Sequence, residues 1–273
     1  MATGRCGQIV TILPMRCAER SWLDEPLAGT APEARGFVVV EHPGPWGAQA
    51  LEEAGLEALE QACKSRGLRA LLARRRGAQG SRAFAAWCGR EPFLVELDGA
   101  PTDDLLDALA EGGRPPGAPR ERLWLVCTNG KRDACCAVDG MPVARALAER
   151  GEEVWECTHL GGHRFAANVL LLPEGICFGR VQADTVDVLL EGVAAGAPPA
   201  ELMRGRTALE PLAQAAEIAA GPSLVLPEIE RDGDVVRIGA RRIRVASRTL
   251  EPRPVSCDAE PEPVVAWNAE LLA

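Results

Sequence analysis

Apolar and polar residues alternate along the first part of the chain in a pattern that predicts a run of strands and helices. Residues 36–41, GFVVVE, form a predicted buried strand, and a helix is predicted to follow it up to Gly67. The apolar side of that helix carries Leu51, Leu56, Leu59 and Cys63. Further strands are predicted near 69–73, 82–87 and 93–97, followed by a helix at 102–111.

A Pro- and Gly-rich stretch separates this region from a second region with the same order of elements. Residues 112–120, GGRPPGAPR, pack poorly because proline and glycine remove donors and regularity, so they are the predicted domain boundary. The predicted elements that follow are a strand at 123–127, a helix at 141–150, strands at 154–157, 167–172 and 176–180, and a helix at 184–195. Asp139 is the predicted N-cap of the first of these helices, with Pro142 in its first turn.

The repeated order predicts an α/β fold made of tandem thioredoxin-like domains, because two helices can cover a small mixed sheet in each half. The chain beyond residue 221 differs: a β-hairpin is predicted from 234–238 and 242–246, and the acidic segment after Ser247 is expected to be a peripheral tail. The predicted domains are 1–115, 116–215 and 216–273. A chain of 273 residues with 47% hydrophobic content is long enough for two compact cores.

Composition and charge narrow the classes of partner. The formal net charge is -9 and no basic stripe is present, so nucleic acid is not an expected partner. Ten cysteines are too few for a disulfide-stapled secreted scaffold of this length, which indicates a reducing compartment. Arg5 and Arg16 interrupt the apolar patch at the N-terminus, so neither a signal peptide nor a membrane span is expected. The expected location is the cytoplasm.

Two segments of the second region carry metal-binding residue types at the ends of predicted strands. Cys127 ends one strand, and Cys136 lies nine positions later, near a helix start, where backbone N–H groups favour a thiolate. His159 and His163 flank two glycines that let the backbone bend around a bound group. Two imidazoles can then face two thiolates. Cys135 competes with Cys136 because adjacent cysteines seldom both bind one small centre, and the pattern does not choose between them.

Neighbouring residues have predicted supporting roles. Lys131 and Arg132 add positive charge beside the site, and Asp133 either belongs to this charged loop or caps the following turn. Asn168 is expected to orient the histidine loop by hydrogen bonding or to start a strand. The cysteines without ligand-like spacing are predicted to be ordinary structural residues, and these are Cys6, Cys17, Cys63, Cys88, Cys177 and Cys257.

Taken together, these segments resemble a known family. The stretches VCTNGKRDACCA and THLGGHRFAANVLLLPEG, with EPLAGTAP and FVVVEHPGPWG upstream, resemble the sucrase/ferredoxin-like family over most of the chain to about residue 215. The resemblance implies a C-terminal thioredoxin-like ferredoxin domain that holds a 2Fe-2S cluster on two cysteines and two histidines. Matching around the pair Arg132 and Asp133 implies that the ligands are Cys127, Cys136, His159 and His163. Related all-cysteine ferredoxins have C-x3-C where this chain has H-x3-H.

The resemblance implies an electron-transfer protein rather than a stand-alone enzyme. Neutral imidazoles in place of two thiolates make a cluster less negative, which raises its reduction potential. The expected potential is closer to the roughly -150 to +300 mV of Rieske centres than to the about -400 mV of plant-type ferredoxins. The free imidazole nitrogens can also titrate, so a proton is expected to accompany the electron.

Two alternatives stay open at this point. Two cysteines and two histidines also form an accepted zinc site, although C-x8-C is longer than the usual spacing of zinc ligands. A thiol oxidoreductase that uses Cys135 and Cys136 is the weaker alternative, because an active C-x-x-C is missing and vicinal disulfides are strained.

Other built-in activities have no support in the sequence. It contains no G-x-G-x-x-G after a predicted strand, no P-loop and no G-x-S-x-G, and no carboxylate pair is singled out for glycoside hydrolysis. The electrons are therefore expected to come from a separate reductase and to pass to an acceptor that the sequence does not identify. The N-terminal domain lacks a matching ligand set and is predicted to be a degenerate copy that serves docking or stability.

Overall fold

A computed structural model describes residues 15–75 and 80–272 of the chain. The helices in this part are α1 (Cys17–Asp24), α2 (Ala50–Glu53), α3 (Glu57–Ser65), α4 (Asp103–Ala110), α5 (Ala134–Glu149), α6 (Val186–Ala194) and α7 (Pro211–Ala220). The strands are β1 (Gly36–Glu41), β2 (Leu68–Arg74), β3 (Ala83–Trp87), β4 (Phe93–Leu97), β5 (Gly117–Arg120), β6 (Leu123–Cys127), β7 (Val154–Cys157), β8 (Val169–Leu172), β9 (Ile176–Phe178), β10 (Met203–Arg206), β11 (Ile229–Asp232), β12 (Val235–Ile238), β13 (Arg241–Arg253) and β14 (Glu262–Leu272).

A mixed ten-stranded sheet forms the centre of the molecule, in the order β10-β9-β8-β6-β7-β2-β1-β3-β4-β5. β1 and β2 pair in parallel, as do β6 and β7, and all other neighbours are antiparallel. The two halves of the sheet meet where β2 pairs with β7. From that junction outward, each half repeats the same order and directions of strands. The sheet is therefore continuous across the predicted domain boundary.

Both faces of this sheet are covered by apolar packing. α5 and α6 bury one face of the second half around Val126, Val169 and Leu189. α3 and α4 bury one face of the first half, and a further cluster that includes Phe84 and Trp155 spans both halves. These two rings make an edge-to-face contact with centroids 5.2 Å apart. The halves consequently share part of one core. None of the helices in the described part of the chain is long and apolar enough to cross a membrane.

The structure confirms most of the predicted strands and moves the start of one important helix. β1 and β6 have the predicted bounds, and the other predicted strands of the large sheet lie within two residues of their expected positions. α5 begins seven residues earlier than predicted because Asp133, not Asp139, is its N-cap: the Asp133 carboxylate accepts a hydrogen bond of 2.9 Å from the Cys135 N–H. Pro142 lies inside this helix.

Two other predicted elements also change. The single helix expected before Gly67 is split into α2 and α3, and Gly55 lies between them with φ +73°, a left-handed conformation that interrupts a helix. The predicted linker ends in a strand, because β5 pairs with β4 as the last strand of the large sheet, and an edge strand tolerates Pro119.

The C-terminal region is a four-stranded antiparallel sheet, in the order β11-β12-β13-β14. β12 and β13 pair where the hairpin was predicted, but the segment after Ser247 continues β13 and forms β14 instead of a peripheral tail. β13 and β14 pair along most of their length, from Arg242 opposite Leu272 to Arg253 opposite Glu262. α7 packs on this sheet through Leu212 and Ala216. The start of β13 was predicted at 242–246, but the polar and charged residues that follow Ala246 interrupt the apolar alternation, so the rest of the strand was missed.

Candidate metal centre

The predicted ligand residues lie at one edge of the large sheet, where β6 and β7 end. Cys127 is the last residue of β6, and Cys136 lies in the first turn of α5. One ligand atom from each of Cys127, Cys136 and His159 lies within 4.8 Å of the other two. Both cysteines are buried and His159 is half-buried. The structure thus brings three of the four predicted residues into one compact group.

His163 lies beside this group, at the start of a short 3-10 helix, and its ring centroid is 4.7 Å from that of His159. The Nδ1 atoms of both histidines are buried and have no hydrogen-bond partner among the described residues. Burying a polar nitrogen without a partner is unfavourable, so each such atom requires an explanation. Two buried sulfurs beside two unpartnered imidazole nitrogens form a donor set that fits an iron–sulfur cluster or a single soft metal ion.

The first half of the molecule helps to position the histidine loop. Arg69, in β2, donates hydrogen bonds to the backbone carbonyls of His159, at 3.1 Å, and of Leu160, at 2.9 Å. The Thr158 hydroxyl accepts a hydrogen bond of 3.0 Å from the Leu72 N–H of the same strand. The loop that carries the histidines is therefore fixed from the neighbouring half and not only by its own residues.

The second half supports the same loop from the other side. Asn168 donates a hydrogen bond of 3.0 Å to the Gly162 carbonyl, which is the predicted orienting role. Arg204 is buried and donates to the Gly161 carbonyl at 2.7 Å and to the Asn168 side chain at 2.8 Å. Gly162 has φ +67°, and a Cβ there would lie 2.4 Å from the Arg204 guanidinium. Only glycine fits this position.

The electrostatic environment favours the metal-binding protonation states of Cys127 and His163, whereas Cys136 is the protonated partner of Cys127. The hydrogen bond from the Cys136 thiol is the main reason that the pKa of the Cys127 thiol is lowered well below its usual value, against the opposing effect of burial. The same hydrogen bond, together with burial, raises the pKa of Cys136. Burial lowers the pKa of the His163 imidazole. A thiolate at Cys127 and a neutral imidazole at His163 are the forms that bind metals.

Cys135 belongs to a different group of sulfur atoms from Cys136. Its Sγ lies 3.6 Å from the Sγ of Cys17 and 3.5 Å from the Sγ of Cys257. Sequence reasoning missed this group and treated Cys17 and Cys257 as ordinary structural residues. They lie 118 and 122 positions from Cys135, so no local spacing reveals them. Cys6 lies outside the described residues.

Asp133 lies near both the group of Cys127, Cys136 and His159 and the group of Cys17, Cys135 and Cys257. It caps α5, as one of its two predicted roles, and its Oδ2 lies 3.9 Å from the Nε2 of His163. Although burial, the largest effect, opposes ionisation, hydrogen bonds from the backbone N–H groups of Cys257 and Cys135 lower the pKa of Asp133 to about 2. Asp133 is therefore a carboxylate at neutral pH.

A cleft of about 580 Å³ opens beside His159 at the junction of the two halves. Its lining includes Gln49, Lys64, Arg69 and Arg132. Lys131 and Arg132, which were predicted to lie beside the site, are exposed in the loop before α5. The histidine side of the site is therefore reached from solvent through a partly basic cleft.

Comparison with known proteins gives one strong match and several weak ones. A family model described as Sucrase/ferredoxin-like matches residues 27–205. The thioredoxin-like 2Fe-2S ferredoxin from Aquifex aeolicus is 18% identical, with 30% of this chain and 88% of that chain covered and a TM-score of 0.28. A cysteine-to-serine variant of that ferredoxin is 17% identical, with 30% and 97% covered and a TM-score of 0.28.

These structural overlaps are too slight to support an argument about fold or cofactor. Among curated proteins, none matches the chain significantly. The family model is decisive because it spans well over half of the chain. The predicted resemblance is confirmed, and the protein belongs to the sucrase/ferredoxin-like family.

Proposed function

We propose that this protein is an electron carrier whose 2Fe-2S cluster is held by Cys127, Cys136, His159 and His163. The observation that carries the proposal is the pair of buried Nδ1 atoms, on His159 and His163, which have no hydrogen-bond partner within residues 15–75 and 80–272 and lie beside two buried sulfurs. Membership of the sucrase/ferredoxin-like family supports the same conclusion, because the description of that family includes ferredoxin-like proteins. When bound, the cluster would supply one-electron transfer.

The choice of Cys136 over Cys135 rests on which sulfurs lie together. The Cys136 sulfur shares a group with Cys127 and His159, whereas the Cys135 sulfur lies against Cys17 and Cys257. The separation of the Cys135 and Cys136 sulfurs into two groups also argues against a thiol oxidoreductase that uses this pair, because the two sulfurs contact different partners. Cys127 and Cys136 then provide the two thiolates of the proposed ligand set.

The two histidines determine the expected potential and its dependence on pH. A ligand set of two thiolates and two neutral imidazoles favours a potential near the roughly -150 to +300 mV range of Rieske centres. The His163 side chain is 12% exposed, and its Nε2 faces the Asp133 carboxylate. A proton at Nε2 is therefore stabilised by Asp133 and can exchange with solvent when the electron arrives.

The electrons come from a separate reductase and pass to a separate acceptor in this proposal. Lys64 and Arg132 line the cleft beside His159, which also contains Glu33 and Glu60, and the exposed Lys131 adds positive charge next to Arg132. A partner with acidic residues around its own redox centre can dock there, because opposite charges steer association and bring the two centres close.

We further infer that the halves of the large sheet are two copies of one thioredoxin-like unit. The repeated strand order supports this inference. The predicted domains are 1–115, 116–215 and 216–273; β5 extends the first copy to Arg120, and α7, which crosses residue 215, packs with the C-terminal sheet. The N-terminal copy has a positioning role, because Arg69 holds the backbone of the histidine loop.

A zinc site on the same residues is the second candidate. The specific observation in its favour is that the ligand atoms of Cys127, Cys136 and His159 all lie within 4.8 Å of one another, which is close enough for one metal ion to reach all three. Zinc would leave the protein colourless and unable to accept an electron.

Metal analysis and redox titration of anaerobically purified protein test these proposals. We expect brown protein with two irons and two sulfides in the proposed site of each chain, and a potential that falls with rising pH by up to about 59 mV per unit. The fall follows because the reduced site holds its proton more tightly than the oxidised site. Zinc on Cys127 and Cys136, without iron, would support the second candidate. A potential that does not change with pH would refute the proton at His163.

A further inference from the structure

Three cysteines from distant parts of the chain converge beside the candidate metal centre. Cys17 begins α1, Cys135 lies in the first turn of α5, and Cys257 lies in the connection between β13 and β14. The Sγ atoms of Cys17 and Cys257 lie 3.7 Å apart, which completes a triangle with the distances of 3.6 Å and 3.5 Å to Cys135. Chain connectivity does not impose this contact, because Cys17 and Cys257 are 240 positions apart.

The size of the triangle matches the coordination sphere of one metal ion. Zinc–sulfur bonds of about 2.3 Å in a tetrahedron place sulfur atoms about 3.8 Å apart. The three observed distances fall slightly below this value, so a metal at the centre requires an expansion of only a few tenths of an ångström. An iron–sulfur cluster would hold thiolates on different irons, which needs wider spacing.

A fourth ligand is already in place. The Asp133 carboxylate lies 3.4 Å from the Cys257 Sγ and 3.8 Å from the Cys17 Sγ. Its orientation is fixed by hydrogen bonds from the Cys135 N–H at 2.9 Å, the Cys257 N–H at 2.8 Å and the Ser256 hydroxyl at 3.0 Å. Such hydrogen bonds to a ligating carboxylate are typical of the shell around a metal.

We propose that Cys17, Cys135 and Cys257, with the carboxylate of Asp133, form a zinc site that is separate from the iron–sulfur cluster. Three thiolates and one carboxylate suit zinc, which accepts sulfur and oxygen ligands in a tetrahedron. Binding releases the thiol protons and changes no oxidation state. All four positions are filled by protein, so the site is structural rather than catalytic.

The zinc would tie the first helix and the C-terminal sheet to the domain that carries the cluster. Each ligand segment otherwise reaches the site only through noncovalent packing, so metal removal should loosen the region around α1 and the turn before β14. Because these segments come together only in the folded chain, the metal binds the folded state and not the unfolded one, so its binding free energy contributes to folding stability. The site also fixes Asp133, which faces His163.

Element-specific measurements on the full protein test this inference. Wild-type chain, Cys257→Ala and Cys63→Ala are produced with iron and zinc both supplied, and each metal is counted per chain. Cys63 is the matched control because it is buried in the apolar core of the first half, away from both groups of sulfur atoms. We expect one zinc in the wild type and in Cys63→Ala, a fall to near zero in Cys257→Ala, and unchanged iron in all three.

X-ray absorption at the zinc edge of the wild type gives a second readout that needs no variant. We expect about three sulfur neighbours at about 2.3 Å and one oxygen neighbour. A neighbour set of two sulfurs and two nitrogens would place the zinc on Cys127, Cys136, His159 and His163 and overturn the inference. Zinc retained in Cys257→Ala, a wild type free of zinc, iron lost together with zinc, or a disulfide between two of the three cysteines would also overturn it. The iron count reports on the cluster separately.

Discussion

The two halves of the large sheet have equivalent backbones and different chemistry at the same position. At the end of β1, the Glu41 N–H donates a hydrogen bond of 2.7 Å to the Arg82 carbonyl. At the end of β6, the Cys127 N–H donates one of 3.0 Å to the Asn168 carbonyl. Glu41 and Cys127 therefore occupy corresponding positions at the ends of corresponding strands.

The side chains at this position have different partners: one forms an ion pair, and the other belongs to the candidate metal centre. In the first half, the buried Glu41 carboxylate forms an ion pair of 3.2 Å with Arg82. In the second half, the Cys127 sulfur lies with Cys136 and His159, and the histidine loop follows. The same strand order is therefore not sufficient for a metal centre. The centre depends on a few residues that only the second half carries at these positions.

The largest expected effect comes from removing a proposed ligand. Cys136→Ala should abolish iron binding in the purified protein, because one thiolate of the set is lost. Cys135→Ala, one position away, should keep the iron, and Glu41→Gln at the corresponding position of the first half should keep it too. The iron content and the visible spectrum of each of the three purified variants show whether the cluster is present. Retention of a normal cluster in Cys136→Ala would contradict the proposed ligand set.

A smaller effect is expected where the first half supports the second. Arg69→Met removes the hydrogen bonds to the carbonyls of His159 and Leu160, so the histidine loop should move more freely. Loss of residues that orient ligands commonly reduces metal affinity about 10- to 100-fold. We expect a similar shortening of the lifetime of the cluster under a chelator. Arg66→Met, which removes a half-buried arginine paired with Asp103 and Asp107 away from the site, is the control and should leave that lifetime unchanged.

The smallest expected effect concerns the ion pair of the first half. Arg82→Met leaves the Glu41 carboxylate buried without its cation, which should cost about 1–3 kcal/mol of unfolding free energy and lower the Tm by a few degrees. Iron content should not change. The double variant with Glu41→Gln should recover part of the loss, as measured by thermal unfolding followed by circular dichroism. A drop in iron content with Arg82→Met would show that the halves are coupled more tightly than the comparison implies.

The sequence predicted features that depend on neighbouring residues better than features that depend on contacts between residues far apart in the chain. Strands such as β1 and β6 were predictable because consecutive branched apolar residues mark a buried strand. The grouping of Cys127, Cys136 and His159 was also predictable. Cys127 and His159 come at or just after the ends of the adjacent strands β6 and β7, and Cys136 lies near the start of the helix between those strands. The repeated order of elements pointed to the two halves, although not to the antiparallel junction that makes them one sheet.

The predictions that were wrong or absent concern features that depend on contacts between residues far apart in the chain. Asp139 followed by Pro142 is a stronger local helix start than Asp133, yet tertiary contacts select Asp133: its carboxylate is held by Cys257 and Ser256 from a distant segment. The group of Cys17, Cys135 and Cys257 has no sequence spacing to detect. Pairing between β13 and β14 gives structure to a segment whose composition favours a tail.

Nitrogen hyperfine coupling in the EPR spectrum of the reduced protein reports whether the cluster has two histidine ligands. Protein labelled with ¹⁵N only at histidine assigns any coupling to an imidazole rather than to the backbone. We expect coupling to two histidine nitrogens in the wild type, and His159→Ala should remove one of these couplings or abolish the cluster. A reduced cluster with no histidine coupling would contradict the account, because it would place sulfur or oxygen where His159 and His163 are proposed to bind.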